Sequence, residues 1–230
     1  MAGKRSRTAR DARRRTLGQN FLRNRGLAVR LVRDARIAGD DLVVELAAGT
    51  GILTGELARR ARRVVAVELD PEWARRLLDS FAAVENVLVA QGDALQFPLP
   101  QEPYRVVANL PFGRTTAFLR HLLDDPESAL VAADLIVQHE VARKRARNRG
   151  TLLTLSWAPW FEFSLGRRIP ASAFRPSPAV DAAVLRVRRR PQALLASAER
   201  PAFVAFLEDA FTGRPPDLGI DAWVARYRRR

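Results

Sequence analysis

Short apolar runs of strand length alternate with segments of helical period along most of the chain. Asp41-Leu42-Val43-Val44-Glu45-Leu46 reads as a buried strand, and the small-residue turn Ala47-Ala48-Gly49-Thr50-Gly51 separates it from a helical stretch over Ile52–Arg62. The next run, Val64-Val65-Ala66-Val67-Glu68, ends in an acidic residue. Asp70-Pro71 then opens a helix whose apolar face carries Trp73, Leu77, Leu78 and Phe81. Val87-Leu88-Val89 predicts a third strand and leads into the polar turn Gln91-Gly92-Asp93-Ala94. A fourth run, Tyr104 to Ala108, stops at Asn109-Leu110-Pro111-Phe112, and a helix follows over about residues 115–123, closed by Asp124-Asp125-Pro126. Ala129 to Val137 predicts another internal strand, with Gln138-His139-Glu140 at its end and a basic helix behind it. Strands that alternate with helices in this way predict βαβ units and a parallel sheet.

Beyond that point the pattern changes. Thr151–Trp157, Phe161–Leu165 and Ala182–Val187 are expected to be strands of a closing antiparallel section. Between the last two lies a stiff loop, Ala173-Phe174-Arg175-Pro176-Ser177-Pro178-Ala179-Val180. From Pro191 the chain turns helical and amphipathic, with Phe203, Phe206, Leu207 and Phe211 at helical spacing, a break over Gly213 to Gly219, and a short basic helix in the last eleven residues. At the other end, Leu27, Val29, Leu31, Val32 and Ile37 fit a helix over residues 25–37, whereas residues 1–15 are too polar to pack. The expected division is a flexible basic arm (1–15), an α/β domain (16–189) and a small, shortened helical C-terminal domain (190–230).

Composition narrows the function classes. The chain has 230 residues, 47% of them hydrophobic, which suits one large domain with a small appendage. With no cysteine and two isolated histidines, disulfides and thiolate sites are excluded and no metal centre is expected. No apolar stretch is long enough to span a membrane, and the charged N-terminus does not read as a secretory signal. The formal net charge is +14. Basic residues cluster at Lys4–Arg15, at Arg143–Arg149, at Arg186–Arg190 and at Arg226–Arg230, which argues for a nucleic-acid surface rather than one solvated face.

The candidate chemistry lies at the carboxyl ends of the predicted strands, where open α/β sheets bind ligands. Asn109-Leu110-Pro111-Phe112 offers a carboxamide, carbonyls whose neighbour is a proline without a donor, and a flat ring. Acceptors beside a ring suit a planar base with an exocyclic amine; a turn with a buried Phe would have the same four residues. Glu68 lies about 20 residues beyond the glycines, where a carboxylate can take both hydroxyls of a ribose. Asp93 can accept from an adenine amino group. A dinucleotide enzyme would carry G-x-G-x-x-G; Ala47-Ala48-Gly49-Thr50-Gly51 with Glu45 before it has instead the spacing of S-adenosylmethionine-dependent methyltransferases.

Taken together, Leu17-Gly18-Gln19-Asn20-Phe21-Leu22, Glu45 to Thr54, Glu68, Gly92-Asp93-Ala94, Asn109 to Phe112, Gln138 to Ala142 and Phe174 to Val180 resemble the rRNA adenine N6-methyltransferases over about residues 13–190. Phe112, Gly113 and the Thr115-Thr116 pair look more like the Erm resistance branch than the housekeeping small-subunit dimethyladenosine transferases. The family usually has glycine where Ala47 stands, and a longer C-terminal domain with a basic helix where Gly213-Arg214-Pro215-Pro216 breaks this chain.

The resemblance implies a Rossmann-like sheet binding S-adenosylmethionine through Gln19, Asn20, Leu22, Ala47, Gly49, Glu68, Leu69, Asp93, Ala94 and Asn109. It implies that Asn109 and Leu110 hold the target amine, that Pro111 shapes the turn, and that Phe112, with Phe174 nearby, stacks on an extruded adenine. The implied substrate is 23S rRNA before ribosome assembly is complete. The implied outcome is macrolide, lincosamide and streptogramin B resistance, from a monomeric cytoplasmic enzyme. Two other readings stay open, a 16S rRNA dimethyltransferase and a non-catalytic RNA-binding or assembly factor. DNA adenine methyltransferases carry a second proline, and here Phe112 follows Pro111 directly.

Overall fold

A computed structural model describes residues 20–147, 151–213 and 215–230. The arm over residues 1–15 and Gln19 lie outside the described residues. In chain order the elements are β1 (Phe21–Leu22), α1 (Arg25–Asp34), β2 (Leu42–Leu46), α2 (Ile52–Ala58), β3 (Arg63–Glu68), α3 (Pro71–Phe81), β4 (Val87–Gln91) and β5 (Tyr104–Asn109). Then follow α4 (Thr115–Leu123), β6 (Leu130–Gln138), α5 (His139–Ala146), α6 (Leu152–Leu155), β7 (Phe161–Ile169), β8 (Phe174–Arg175), β9 (Ala182–Arg189), α7 (Arg200–Ala210) and α8 (Ile220–Tyr227).

The large sheet has seven strands in the order β4-β3-β2-β5-β6-β9-β7. The first five in that order run parallel, and β9 and β7 close the sheet antiparallel, as the change of pattern after residue 150 predicts. A separate two-stranded sheet pairs β1 with β8, placing Phe21 opposite Arg175 and Leu22 opposite Phe174.

Alternate residues of the parallel strands serve opposite faces. Val43, Val64, Val107 and Ile136 pack with Leu27, Leu31 and Val32 of α1 and with Leu53 and Leu57 of α2. On the other face Val44, Val65, Val106 and Leu135 join Phe118, Leu119 and Leu122 of α4. Phe203, Phe206 and Leu207 of α7 and Trp223 and Val224 of α8 belong to that same apolar cluster, so the C-terminal helices help to close the sheet's core. Such two-sided burial is why β2, β3, β5 and β6 read as continuous apolar runs; β4, at the edge of the sheet, has no buried residue.

Two expectations need correction. The helix after the small-residue turn ends at Ala58 rather than at residue 62. Thr151–Trp157 is not a strand; it holds the short helix α6, with the Thr151 hydroxyl accepting from the Thr154 N–H at 3.2 Å and pairing with the Thr154 hydroxyl at 2.7 Å. The run is buried from Thr154 to Trp157 and partly buried before it, and a continuous apolar run carries no period that separates strand from helix. The threonine cap decides it.

Candidate active site

The strand order reverses between β2 and β5, and the crevice at the carboxyl ends of these two strands is where such sheets take ligands. The turn leaving β2 is tightly wound. Ala47, Gly49 and Gly51 all have positive φ, at 59°, 57° and 76°. A methyl group on Gly49 would stand 2.7 Å from the Phe21 ring, and one on Gly51 would stand 2.6 Å from Leu77, so both positions need glycine for space as well as for dihedral angle. Ala47 adopts the left-handed region without that freedom, at a cost of about 1 kcal/mol.

Two carboxylates are buried under this turn. Glu68, at the end of β3 and 2% exposed, accepts the Gly49 N–H at 2.7 Å and the Asp70 N–H at 2.9 Å. Burial raises its pKa against the pull of those N–H groups. Glu45, inside β2, takes the Thr54 hydroxyl at 2.5 Å. Burial pushes the Glu45 carboxyl up to about 8, with the Thr54 hydroxyl pulling the other way and the Glu68 charge adding to the rise. The third carboxylate, Asp93, follows β4; it accepts the Leu95 N–H at 3.0 Å, and the Arg114 guanidinium lies 3.6 Å from it.

Asn109 ends β5. Its amide Nδ2 donates to the Asn20 carbonyl at 2.7 Å, tying the strand end to the segment that enters β1. Its Oδ1 is buried and has no hydrogen-bond partner among the described residues. A buried acceptor left open costs about 1–3 kcal/mol, which a ligand donor would recover. Asn109 borders a cavity of about 310 Å³ that Asn20, Ala47, Glu68, Leu69, Asp93, Ala94, Leu110 and Pro111 also line. The exposed Leu69 supplies apolar surface at its edge.

The structure therefore gathers most of the sequence-predicted site residues around one cavity, from segments as far apart as Asn20 and Asn109. The remainder sit elsewhere. Leu22 is buried and borders a neighbouring void of about 20 Å³ beside Glu45 and Asn109. Gly49 holds Glu68 from behind. Phe112 and Phe174 do not line the main cavity; their rings meet edge to face, centroids 6.1 Å apart at 75°, and Phe174 is buried while Phe112 is half-buried. Gln19 lies outside the described residues. Neither histidine borders the cavity.

Phe21, Arg114 and Phe118 line the cavity and were not singled out from the sequence. Phe21 sits inside the Gln19-Asn20-Phe21 segment, so its motif was legible even though its side of the strand was not. Arg114 and Phe118 lie two and six residues after Phe112, and the short helical turn over Phe112–Arg114 brings the guanidinium to Asp93.

The ribosomal RNA adenine dimethylase family matches residues 10–218 of this chain. An rRNA adenine N-6-methyltransferase of Aeromicrobium erythreum is 42% identical over 215 residues, covering 92% of this chain and 63% of the relative. The mycinamicin-resistance protein MyrB of Micromonospora griseorubida is 37% identical over 227 residues, covering 94% of this chain and 72% of that protein. The chain thus spans between three fifths and three quarters of these relatives' length. The crystal structure of the 23S rRNA methyltransferase ErmE superposes with a TM-score of 0.78 at 35% identity, covering 90% of this chain and 84% of that one. With its switch-point cavity, its Asn109-Leu110-Pro111-Phe112 turn and a family match over nearly its whole length, the chain belongs to the ribosomal RNA adenine dimethylase family.

Proposed function

We propose that this protein transfers a methyl group from S-adenosylmethionine to the N6 amine of an adenine in 23S rRNA, and so protects ribosomes against macrolide, lincosamide and streptogramin B antibiotics. The names of its relatives support the reaction class and the resistance outcome. The observation that carries the proposal is the Asn109 side chain: its donor end is held by the Asn20 carbonyl, and its oxygen is left as an open buried acceptor beside the cavity.

The lining fits the cofactor. Glu68 suits ribose hydroxyls, Asp93 and Ala94 suit an adenine edge, and Asn20, Ala47 and the small-residue turn leave room for a methionine portion. When bound there, S-adenosylmethionine supplies a methyl group on a sulfonium, a strong leaving group. The protein's own part is positioning. Asn109 Oδ1 and the Leu110 carbonyl accept from the adenine amine and draw its nitrogen out of conjugation with the ring, freeing the lone pair. Phe112, propped by the edge of Phe174, offers a ring for the extruded base to stack on. No strong base is required, because the proton leaves to water after transfer; orientation and electrostatics carry the rate.

In this reading residues 16–189 carry the chemistry, the arm over 1–15 and the helices of 190–230 help to grip RNA, and the protein works as a cytoplasmic monomer. No helix among the described residues is long and apolar enough to cross a membrane. The decisive experiment is methyl transfer from labelled S-adenosylmethionine to protein-free 23S and 16S rRNA, with the base mapped and its methyl number read by mass spectrometry. Label in a single 23S adenine is expected. Label confined to 16S rRNA would move the protein to the housekeeping branch, and no label in either would remove the enzymatic reading.

A further inference from the structure

A second large concavity begins at Arg23, two residues beyond the cavity-lining Phe21. It has a volume of about 790 Å³, and five arginines line it: Arg23, Arg25, Arg30, Arg167 and Arg168. No acidic residue is part of that lining. None of these arginines belongs to the basic clusters visible along the chain; the fold assembles the groove from the start of α1 and the end of β7.

Three of the five are oriented from behind by carboxylates. Arg25 Nε donates to Glu56 at 2.9 Å, Arg167 donates through Nε and Nη2 to Asp34 at 2.9 and 2.6 Å, and Arg168 Nε donates to Asp181 at 3.0 Å. Arg23 and Arg30 are exposed and have no ion-pair partner among the described residues. A guanidinium held rigid by one carboxylate keeps further N–H donors for an acceptor in front of it, and a free one adds uncompensated charge. Five such groups around an open groove match a run of phosphates better than any neutral ligand.

The groove is also in register with the cavity. Asn20 and Phe21 line the cavity, and Arg23, two residues beyond Phe21 and so about 7 Å along an extended chain, lines the groove. The Arg23 N–H donates to the Ala173 carbonyl at 3.0 Å, and Ala173 lines the groove immediately before Phe174, the ring that props Phe112. We infer that this groove is a phosphate track for the RNA strand flanking the target adenine, holding the backbone through Arg23 and Arg30 while the base is presented at Phe112. The inference rests on the reading above that the substrate is RNA, and it adds the place where that RNA is gripped.

The test is the double variant Arg23→Gln/Arg30→Gln in the full chain, chosen because neither side chain gives up an ion pair or a cavity contact. RNA binding is measured across a salt series with an rRNA fragment containing the methylated site, alongside kcat, KM and cofactor affinity. The KM for RNA should rise about tenfold, and the slope of log affinity against log salt should flatten by about 1–2. kcat and cofactor affinity should stay unchanged. The charge-preserving pair Arg23→Lys/Arg30→Lys should restore most of the slope. An unchanged salt slope in the glutamine variant, or no recovery with lysine, would overturn the track. Because RNA binding is read separately from transfer, a protein that methylates nothing yet loses salt-dependent binding in the glutamine variant would sink the enzymatic reading and leave the groove standing.

Discussion

The cavity and the groove adjoin along the short segment from Asn20 to Arg23, and their chemistry differs. The cavity is lined mainly by acceptors and apolar groups, Glu68, Asp93, the open oxygen of Asn109, and Leu69, Leu110 and Phe118, with the Arg114 guanidinium 3.6 Å from Asp93. The groove is lined by guanidinium donors. A cationic cofactor and an exocyclic amine need acceptors in a place shielded from water, where each is worth more. A polyphosphate needs donors in the open, where counterions can leave. In the proposed reading, this difference lets one protein hold a positively charged small molecule and a negatively charged polymer a few residues apart. Phe21 of β1 lines the cavity, whereas Arg23 and Ala173, which flank the β1–β8 pair in the chain, line the groove.

The comparison can be broken most sharply at Asn109. Asn109→Ala removes the open acceptor, and kcat for methyl transfer should fall by about 10²–10³ while RNA affinity measured by filter binding stays as it was. An equal loss of both would mean that the two regions are not separate.

Next in size is the pH response of Glu45, buried beneath the Ala47–Gly51 turn. The Glu45 carboxyl lies near 8 in the fold against an ordinary 4.5, so the native state holds a proton that the unfolded chain releases. That stabilisation is complete at acid pH and is lost as pH rises through about 8. Glu45→Gln should therefore gain stability relative to the parent between about pH 5 and 8, by on the order of 3 kcal/mol, in urea unfolding at a series of pH values. A difference independent of pH would refute a protonated Glu45.

A third set of arginines sharpens the contrast with the groove. Arg189 gives its guanidinium to the carbonyls of Leu130, Pro126 and Ser128 at 2.7, 2.8 and 2.5 Å, and lies over the Phe161 ring. Arg189→Ala should cost about 2 kcal/mol of stability by leaving those carbonyls unpaired, and should leave the RNA salt slope untouched. The smallest effect expected is at Ala47. Ala47→Gly relieves a left-handed alanine and should raise stability by about 0.5–1 kcal/mol in the same unfolding assay.

Arg189 also marks the limit of reading charge along a chain. Arg186 to Arg190 look like an RNA-facing cluster in the sequence. In the fold Arg188 meets the buried Asp134 at 2.7 Å, with Arg186 3.5 Å from the same carboxylate. Arg190 donates to the Ala158 carbonyl at 2.8 Å and to Glu162 at 2.8 Å. The cluster is half-buried and ties the antiparallel end of the sheet together. Adjacency in sequence says nothing about which neighbours a long side chain will find, whereas Arg23 and Arg168, far apart in sequence, converge on one groove.

What the sequence determined by itself is what local patterning can encode. Two-sided burial wrote β2, β3, β5 and β6 as apolar runs, and the Ala47–Gly51 turn announced itself because only small residues tolerate its dihedral angles and the approach of Phe21 and Leu77. The residues at the carboxyl ends of the parallel strands, Glu68, Asp93 and Asn109, were legible with them. Only the tertiary structure decided the pairing of β1 with β8, the bond from Asn109 to the Asn20 carbonyl, the helix in place of a strand over Leu152–Leu155, and which arginines bind carbonyls and which face the groove. Those outcomes depend on contacts between segments distant in the chain, set by sheet order and by the burial each partner offers. No periodicity within a single segment carries that information.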